Sequence, residues 1–425
     1  MHEKLLGVST AWLLKIINAF SQLYLIKIIV EIYGIEVYAI FAIMAGLWGW
    51  VQIFDFGYGH ALLNTIIHGG GRDKYVALKK YRKYIIILSL GVMIFSPLIS
   101  VMLSEYIFRS VNIINNVEKR YLLSVSLAIM GFSVIGSLGY KGFTSVNKAW
   151  IANIFQILGV VMSLVWIINI KYFQLNDKIN AIAMIIGYWA CLMSLSLIGV
   201  VYFYYKNSGE VGEVIEVSLN IKKIHNRAKY FFMMSLVASA SVQSDIIIAS
   251  FLMGKDEIAH YSYISKIYAL MYMIGASITQ VIWPQLAEII NARDRIKYIK
   301  LMKKYLLLTI LMVVMGTVVI EFFKKELISF VFENEDFTVG DFTFIIFGGY
   351  TLIRVVTEFF AASVGAFDKL KYSFMVMLCQ ALVSVSCSYI AAKTFGIDGL
   401  IIGAMLGYLI TSFWMFPIKM FYILK

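Results

Sequence analysis

Ionisable side chains inside long apolar segments are the residues of this sequence best suited to chemistry. One segment carries Lys15, Asn18 and Gln22 at intervals of three and four residues, which places them on one face of a helix. In another segment, Lys266 and Gln280 share a helix face. A charge at membrane depth costs about 2.5–3.5 kcal/mol, so it normally faces the protein interior or a wet cavity. These stripes therefore predict the lining of a cavity.

Three carboxylates and one arginine are the other charged candidates for functional roles inside apolar segments. Asp55 lies in Phe54-Asp55-Phe56-Gly57-Tyr58-Gly59, where glycines allow close approach of backbones. Asp245 lies in an apolar segment rich in serine. Arg354 and Glu358 are four residues apart on one predicted helix, so a structural ion pair and a functional role are both open.

Catalytic and metal-binding motifs are not found in the sequence. The five histidines have no HExxH or other paired spacing, and no Ser/His/Asp set can be assembled. Three cysteines have no metal-ligand spacing and imply no disulfide framework. No phosphate loop ends in Gly-Lys-Ser/Thr. We therefore expect that the chain is not an enzyme, does not hydrolyse ATP and needs no metal or cofactor.

Composition indicates an integral membrane protein. Of the 425 residues, 61% are hydrophobic and 15% are charged, whereas soluble domains have about 45–50% and 25%. A membrane span needs about 20 apolar residues. About twelve segments qualify: 8–31, 37–65, 84–105, 121–140, 149–170, 181–204, 229–252, 258–286, 305–322, 342–366, 372–392 and 396–418. The net charge of +12 does not indicate nucleic acid, because the basic residues lie between these segments.

Lysine and arginine are distributed unevenly among the connections. With the N-terminus in the cytoplasm, the inner connections hold more than twice as many as the outer ones. This bias predicts that both termini are cytoplasmic. The basic stretches 72–84 and 293–305 are then either topology determinants or interfacial helices that contact anionic inner-leaflet lipids.

The two basic stretches are also similar to each other, and their first residues differ in number by 293 − 72 = 221. With six spans in each half, the second half re-enters the membrane from the same side, so the halves are related by an axis along the membrane normal. The sequence thus predicts an all-α polytopic membrane protein with two six-helix lobes, 1–204 and 229–425, and a cytoplasmic linker, 205–228. Two similar halves are the usual design of a transporter.

The buried charges do not follow this repeat. At the same interval, Lys266 corresponds to Ala45 and Arg354 to Ser133. Charges that break the symmetry of a repeat favour a ligand path over helix packing.

Two short motifs resemble the polysaccharide-transporter branch of the MOP flippase superfamily, which includes bacterial O-antigen flippases. Residues 54–64 are similar to the Asp-x-Gly segment that closes the family's second helix. A second set is similar to its seventh-to-eighth helix signature, with Met253 before the glycine as a departure: Asp245-Ile246-Ile247-Ile248, Phe251, Leu252, Gly254 and Tyr261. The number and spacing of spans extend the resemblance over nearly the whole chain. It implies a MATE-like fold.

The resemblance also implies a function. A V-shaped cavity between two lobes would accept an undecaprenyl-pyrophosphate-linked oligosaccharide and move it between leaflets of the bacterial inner membrane. Cations in a low-dielectric cavity bind phosphate oxygens, so Lys15, Lys266 and Arg354 suit the pyrophosphate. Further substrate-binding residues are expected at Asn18, Gln22 and Gln280. The rings of Tyr263 and Tyr268 suit stacking on sugars.

Coupling and partners follow from the same resemblance. Asp55, Asp245 and Glu358 are the expected sites of proton or cation coupling. Polysaccharide polymerase and chain-length proteins are candidate partners.

Two alternative functions predict different sequence features. A multidrug or small-cation antiporter of the related extrusion family would have a mainly acidic cavity, whereas the interior charges here include Lys15, Lys266 and Arg354. A membrane-embedded O-antigen polymerase would show a large periplasmic loop, and an acyltransferase would show a base and a nucleophile. Neither feature is visible.

Overall fold

A computed structural model describes residues 2–58, 73–111, 113–145, 148–173, 176–207, 221–291, 294–332, 339–340, 342–366 and 370–423. Within these ranges some side chains are not described, chiefly those of 2–16, 73–84, 221–227 and 280–285. The described chain is helical and contains no strand.

Thirteen α-helices and two short 3-10 helices make up the described chain. The first helices are α1 (His2–Tyr33), α2 (Ile35–Val51), α3 (Asp73–Ile107), α4 (Asn116–Ser145), α5 (Ala149–Ile170) and α6 (Asp177–Asn207). They are followed by α7 (Ile221–Leu252), α8 (Lys255–Asn291), α9 (Arg295–Phe322), α10 (Lys324–Val331), α11 (Thr343–Ala366), α12 (Leu370–Ile410) and α13 (Ser412–Ile423). The 3-10 helices are Gln52–Asp55 and Lys171–Phe173.

The number of membrane crossings agrees with the prediction. Nine segments of the described chain are long and apolar enough to cross a membrane. The last of them, Lys371–Ile423, has 53 residues, enough for two crossings. Helices α1 and α8, whose side chains are described only in part, have 32 and 37 residues and are long enough for one crossing each.

The chain divides into two compact units, Met1–Leu236 and Val237–Lys425. The division falls within α7. Both ends of the predicted linker 205–228 are helical, because α6 continues to Asn207 and α7 begins at Ile221. The assignment of two six-helix lobes joined by a cytoplasmic linker stays a prediction.

The order of helices repeats between the units at nearly the predicted interval. Helix α2 begins at Ile35 and α8 at Lys255, so their starts differ in number by 255 − 35 = 220. Helix α1 ends at Tyr33 and α7 at Leu252, which gives 252 − 33 = 219. The start of α9 is capped by Asp294, whose carboxylate accepts a hydrogen bond from the backbone N–H of Lys297 at 3.0 Å.

The second predicted span is interrupted. We predicted one helix over 37–65, but α2 ends at Val51 and the 3-10 turn ends at Asp55. Phe56 and Gly57 then adopt left-handed conformations, with φ of 48° and 73°. The Asp55 carboxylate accepts the N–H of Gly57 at 2.8 Å, a local bond that competes with the helix. Residues 59–72 lie outside the described chain.

Helix α12 is itself a hairpin of two antiparallel segments. The break is Gly396, at φ 56° and ψ −133°, close to the predicted boundary between the last two spans. The Ser388 hydroxyl donates to the carbonyl of Leu400 at 2.9 Å. A Cβ atom on Gly403 would collide with the backbone of Ser388, so the segments are in direct backbone contact. Small residues allow this packing in membrane helices.

Helices α5 and α6 form the corresponding hairpin of the first unit. Gly159 of α5 faces Leu192 of α6, where an added Cβ would lie 3.3 Å from the leucine side chain. Nearer the turn, Gly187 lies against the indole of Trp166, which donates to the carbonyl of Ala183 at 3.1 Å. Both units therefore contain a closely packed helical hairpin at equivalent places in the repeat.

Candidate functional site

A cavity of about 430 Å³ lies within the first unit. Its volume falls in the range of about 300–1,000 Å³ that is typical of small-molecule sites. It is lined by α1, α2, α4, α5 and α6, by the 3-10 turn and by one residue of α7. The polar and aromatic lining residues include Asn18, Gln22, Trp48, Gln52, Asp55, Ser133, Ser137, Tyr140, Lys141, Gln156, Tyr188, Ser196 and Ser235. Asn18, Gln22 and Asp55, singled out from the sequence, are thus placed around one space.

A glycine face on α4 positions one wall of this cavity. Three glycines on this face, at intervals of three residues, pack against α6: Gly136, Gly139 and Gly142. A Cβ added to Gly139 would lie 3.0 Å from Val200, so the two helices are as close as glycine permits. Three neighbouring residues of α4 line the cavity: Ser137, Tyr140 and Lys141.

Asp55 and Lys141 form an ion pair at the cavity wall. The ammonium Nζ of Lys141 lies 2.7 Å from Oδ2 of Asp55, and the two side chains are 13% and 6% exposed, Lys141 first. Asp55 is one of the residues that the resemblance assigned to ion coupling. Lys141 is a site residue that the sequence did not single out, and the regular spacing of the α4 glycines is the sequence feature that could have indicated it.

Three residues of the cavity wall each have a buried polar atom without a hydrogen-bond partner in the described chain. The atoms are Oδ1 of Asn18, Nε1 of Trp48 and Oγ of Ser133. A buried polar group without a partner costs about 1–3 kcal/mol. All three atoms are buried behind the cavity surface, so this part of the wall carries polar groups whose hydrogen bonds are not satisfied in this arrangement of the helices.

Arg354 of α11 is the centre of a second cluster, which lies within the second unit. Its guanidinium carbon lies 3.8 Å from the ring centroid of Tyr272, a cation–π contact. Arg354 also interacts electrostatically with Tyr350, Tyr408 and Glu358.

The ion pair that the spacing of Arg354 and Glu358 allowed is not formed. Among the described residues, Arg354 has neither an ion pair nor a hydrogen bond. Glu358 interacts instead with the hydroxyl of Tyr272, whose ring is in contact with the guanidinium. The five N–H donors of Arg354 are thus left for another partner.

Asp245 belongs to the same cluster. The hydroxyl of Tyr261 donates to Oδ2 of Asp245 at 3.1 Å, and both side chains are buried. Both residues belong to the set that resembles the seventh-to-eighth helix signature, and the hydrogen bond joins its first and last members. Asp245 interacts electrostatically with Arg354, so the cluster holds one arginine and two carboxylates, each carboxylate beside a tyrosine.

Lys266 of α8 is half-buried and has no ion-pair partner in the described chain. Among the described residues it forms no hydrogen bond or ion pair with the Arg354 cluster. The side chains of Lys15 and Gln280 lie outside the described residues, so their roles stay predictions.

Tyr263 and Tyr268 are core residues, contrary to the expectation that they stack on sugars. Their side chains are only 1% and 2% exposed. Their hydroxyls donate to the backbone carbonyls of Leu327 and Phe344, each at 2.6 Å. Rings buried and bonded in this way are not available to a ligand.

A curated protein is similar to the chain over nearly its full length. It is a putative O-antigen export protein of Yersinia pseudotuberculosis, 26% identical over 415 residues, which cover 96% of this chain and 94% of that protein. No protein-family profile matches the chain.

Solved structures share its fold. A multidrug resistance transporter of the MATE family and the MOP superfamily superposes with a TM-score of 0.73 at 15% identity, covering 95% of this chain and 94% of that one. The lipid II flippase MurJ superposes with a TM-score of 0.72 at 16% identity, covering 98% and 87%.

These similarities confirm the predicted fold class, a MATE-like membrane protein of about twelve helices. The similarity to a putative O-antigen export protein also confirms the resemblance noted in the sequence. The chain is a multi-pass membrane protein related to transporters.

Proposed function

We propose that this relative of O-antigen export proteins is a flippase for undecaprenyl-pyrophosphate-linked O-antigen repeat units. It moves them from the cytoplasmic to the periplasmic leaflet of the bacterial inner membrane by alternating access, coupled to a proton or another cation. The full-length similarity to a putative O-antigen export protein supports the substrate class. Two similar halves support the mode of transport.

The free guanidinium of Arg354 is the observation that carries the proposal. Within the described chain it is stacked on Tyr272 but bonded to no carboxylate. A planar guanidinium matches two oxygens of a phosphate at once, and in a low-dielectric site such bonds are strong. Lys266, likewise without an ion-pair partner in the described chain, supplies a second positive charge. Both cations suit the oxygens of a pyrophosphate, whereas the two carboxylates near Arg354 are assigned to coupling.

The remaining residues of the proposal have supporting roles. Lys15, Asn18, Gln22 and Gln280 contribute to substrate binding. Asp55, Asp245 and Glu358 are the proposed coupling residues, and the tyrosines beside Asp245 and Glu358 support this role because a hydroxyl can stabilise either protonation state. Both termini are proposed to be cytoplasmic, and anionic inner-leaflet lipids, a polymerase and chain-length proteins are the proposed neighbours.

Deletion of the gene tests the proposal. We expect lipid-linked repeat units to accumulate on the inner leaflet and surface polysaccharide to be lost. Lys266→Ala should fail to complement, Lys266→Arg should complement in part, and the exposed Lys371→Ala should complement fully. Drug sensitivity without accumulation of repeat units would instead identify a multidrug antiporter.

A further inference from the structure

Helix α9 of the second unit carries a basic face on its first turns. The exposed cations there are Arg295, Lys297, Lys300, Lys303 and Lys304. Between residues 294 and 320 the sequence contains a single carboxylate, Asp294, which pairs with Lys297 at 3.3 Å. These basic turns are not a separate interfacial helix, because α9 continues without a break to Phe322.

The same side of α9 is apolar beyond the basic turns. One stripe at intervals of three and four residues begins with two lysines and continues with apolar side chains: Lys300, Lys304, Leu307, Leu311, Met315, Val318 and Phe322. Each of the five apolar side chains is at least half exposed. The opposite side of the helix is buried at Tyr298, Met302 and Thr309. The exposed face therefore joins a cationic end to a long apolar surface.

This face matches a phospholipid in both length and polarity. At 1.5 Å per residue, Leu307 and Met315 are about 12 Å apart along the helix axis, close to the depth of one leaflet, which is about half of a 30 Å hydrocarbon core. Lys304 then lies at the level of the headgroups. The ring of Tyr305 is 5.5 Å from the Lys304 ammonium and marks the same level, since tyrosine is enriched at the membrane–water interface.

Lipid fits this face better than a second copy of the chain does. Two copies inserted the same way round pair through a twofold axis by placing the same face of each together. The basic turns of the two copies would then repel each other, whereas they attract an anionic headgroup. Helix α9 is also the least buried of the nine candidate spans of the described chain, with 11% of its most apolar stretch buried.

We propose that this face of α9 is a binding site for an anionic phospholipid. Lys300, Lys303 and Lys304 hold the phosphate, and the acyl chains lie along the apolar stripe. The assignment of this lipid to the inner leaflet rests on the topology given with the proposed function, in which this end of α9 is cytoplasmic. The site itself belongs to the second unit and does not depend on the transported substrate.

Lipid titrations of the purified full-length protein in neutral detergent test the site. The probes are dioleoyl phosphatidylglycerol and dioleoyl phosphatidylcholine, which share their acyl chains and differ in headgroup charge. Native mass spectrometry measures the lipid retained, and the wild-type protein should bind phosphatidylglycerol at least about tenfold more tightly. One lysine near an anionic surface strengthens binding by a factor of about five, so Lys300→Gln/Lys303→Gln/Lys304→Gln should abolish this preference.

A matched control removes three exposed lysines that are not on α9, in the variant Lys178→Gln/Lys325→Gln/Lys393→Gln. It should keep the preference for phosphatidylglycerol. An equal loss in this control would overturn the site, because charge at any place on the surface would then be sufficient.

The variant Lys300→Arg/Lys303→Arg/Lys304→Arg keeps the charges and should keep the preference. Equal binding of both lipids by the wild-type protein, or an unchanged preference in the glutamine variant of the same lysines, would overturn the site. A dimer without lipid adducts would assign the face to a second copy instead. The proposed function fails separately, if the deletion strain accumulates no lipid-linked repeat units.

Discussion

In the first unit, the ammonium of Lys141 lies 2.7 Å from the buried carboxylate of Asp55, whereas in the second unit the guanidinium of Arg354 rests on the ring of Tyr272. Within the described chain, the first cation is in a salt bridge with a carboxylate and the second is not. The first arrangement leaves a polar cavity whose two described charges are paired. The second leaves a guanidinium without an ion pair, beside tyrosines and two more distant carboxylates.

The difference between the two units is informative because the Arg354 cluster and the cavity wall of the first unit contain residues at equivalent positions of the repeat. At the numbering interval of the repeat, Arg354 corresponds to Ser133 (354 − 221 = 133) and Glu358 to Ser137 (358 − 221 = 137). Both serines line the cavity of the first unit. The same face of the same repeated helix thus carries hydroxyls in one unit and an arginine with a carboxylate in the other.

The largest effect is expected from Arg354→Ala, which removes the cation of the Arg354 cluster and leaves the cavity of the first unit unchanged. Loss of one or more charged hydrogen bonds, about 1.5–3 kcal/mol each, predicts a decrease in export of about 10- to 150-fold. Arg354→Lys should be intermediate, because lysine keeps the charge but not the planar fork. Export is measured as surface polysaccharide in the complemented deletion strain. Arg109→Ala, at an exposed arginine, is the control, and normal export by Arg354→Ala would contradict the contrast.

Lys141→Met tests the neutral pair of the first unit. Removing one partner of a buried ion pair typically destabilises a protein by about 3–5 kcal/mol, because the other charge stays buried. The double variant Asp55→Asn/Lys141→Met should recover much of this loss. Thermal unfolding of the purified protein measures both. Lys148→Met, at an exposed lysine, should have little effect, and equal stability of single and double variants would mean that the pair is not coupled.

Gly57→Ala tests the turn that places Asp55. The residue has φ 73°, and a Cβ atom there would collide with the backbone of Ala228. The left-handed conformation costs about 1–2 kcal/mol for a residue with a side chain, and the collision adds to it. Gly91→Ala is the matched control: no atom lies within 4 Å of its added Cβ, so the change should stabilise α3 by about 0.5–1 kcal/mol. Equal melting temperatures for the two variants would contradict this account.

The smallest effect is expected for Tyr261→Phe, which removes the hydrogen bond to Asp245. We expect a loss of about 1 kcal/mol in thermal stability, since a buried acceptor loses its donor. The control is Tyr24→Phe, at an exposed tyrosine that occupies the place of Asp245 in the repeat (245 − 221 = 24). An unchanged stability of Tyr261→Phe would show that water replaces the hydroxyl.

The fold could be predicted from sequence because the bilayer sets the length and composition of every span. The end of helix α2 at Val51 could not be predicted in this way. Apolar residues continue through Ile53 and Phe54, so hydropathy predicts an uninterrupted helix. The interruption depends on a carboxylate that bonds to the backbone of Gly57 and on the close packing of that glycine against α7.

The candidate sites were predicted only in part, for a similar reason. Counting lysines near span ends treats Lys141 as a topology signal, because its partner lies 86 residues earlier in the sequence. The spacing of Arg354 and Glu358 allowed an ion pair, but Tyr272 enters from another helix and contacts both. Such contacts depend on tertiary packing, which local spacing does not encode.

The hairpin of α12 has a consequence for how the chain is synthesised and inserted. Ser388 and Ser384 donate to carbonyls across the hairpin, at 2.9 and 3.3 Å. These hydroxyls therefore have hydrogen-bond partners within the hairpin itself and do not need another helix. This is important in lipid, where water is not available as a partner. The segment from Leu370 to Ile410 can accordingly leave the translocon as a preassembled pair and join the rest of its unit in one step.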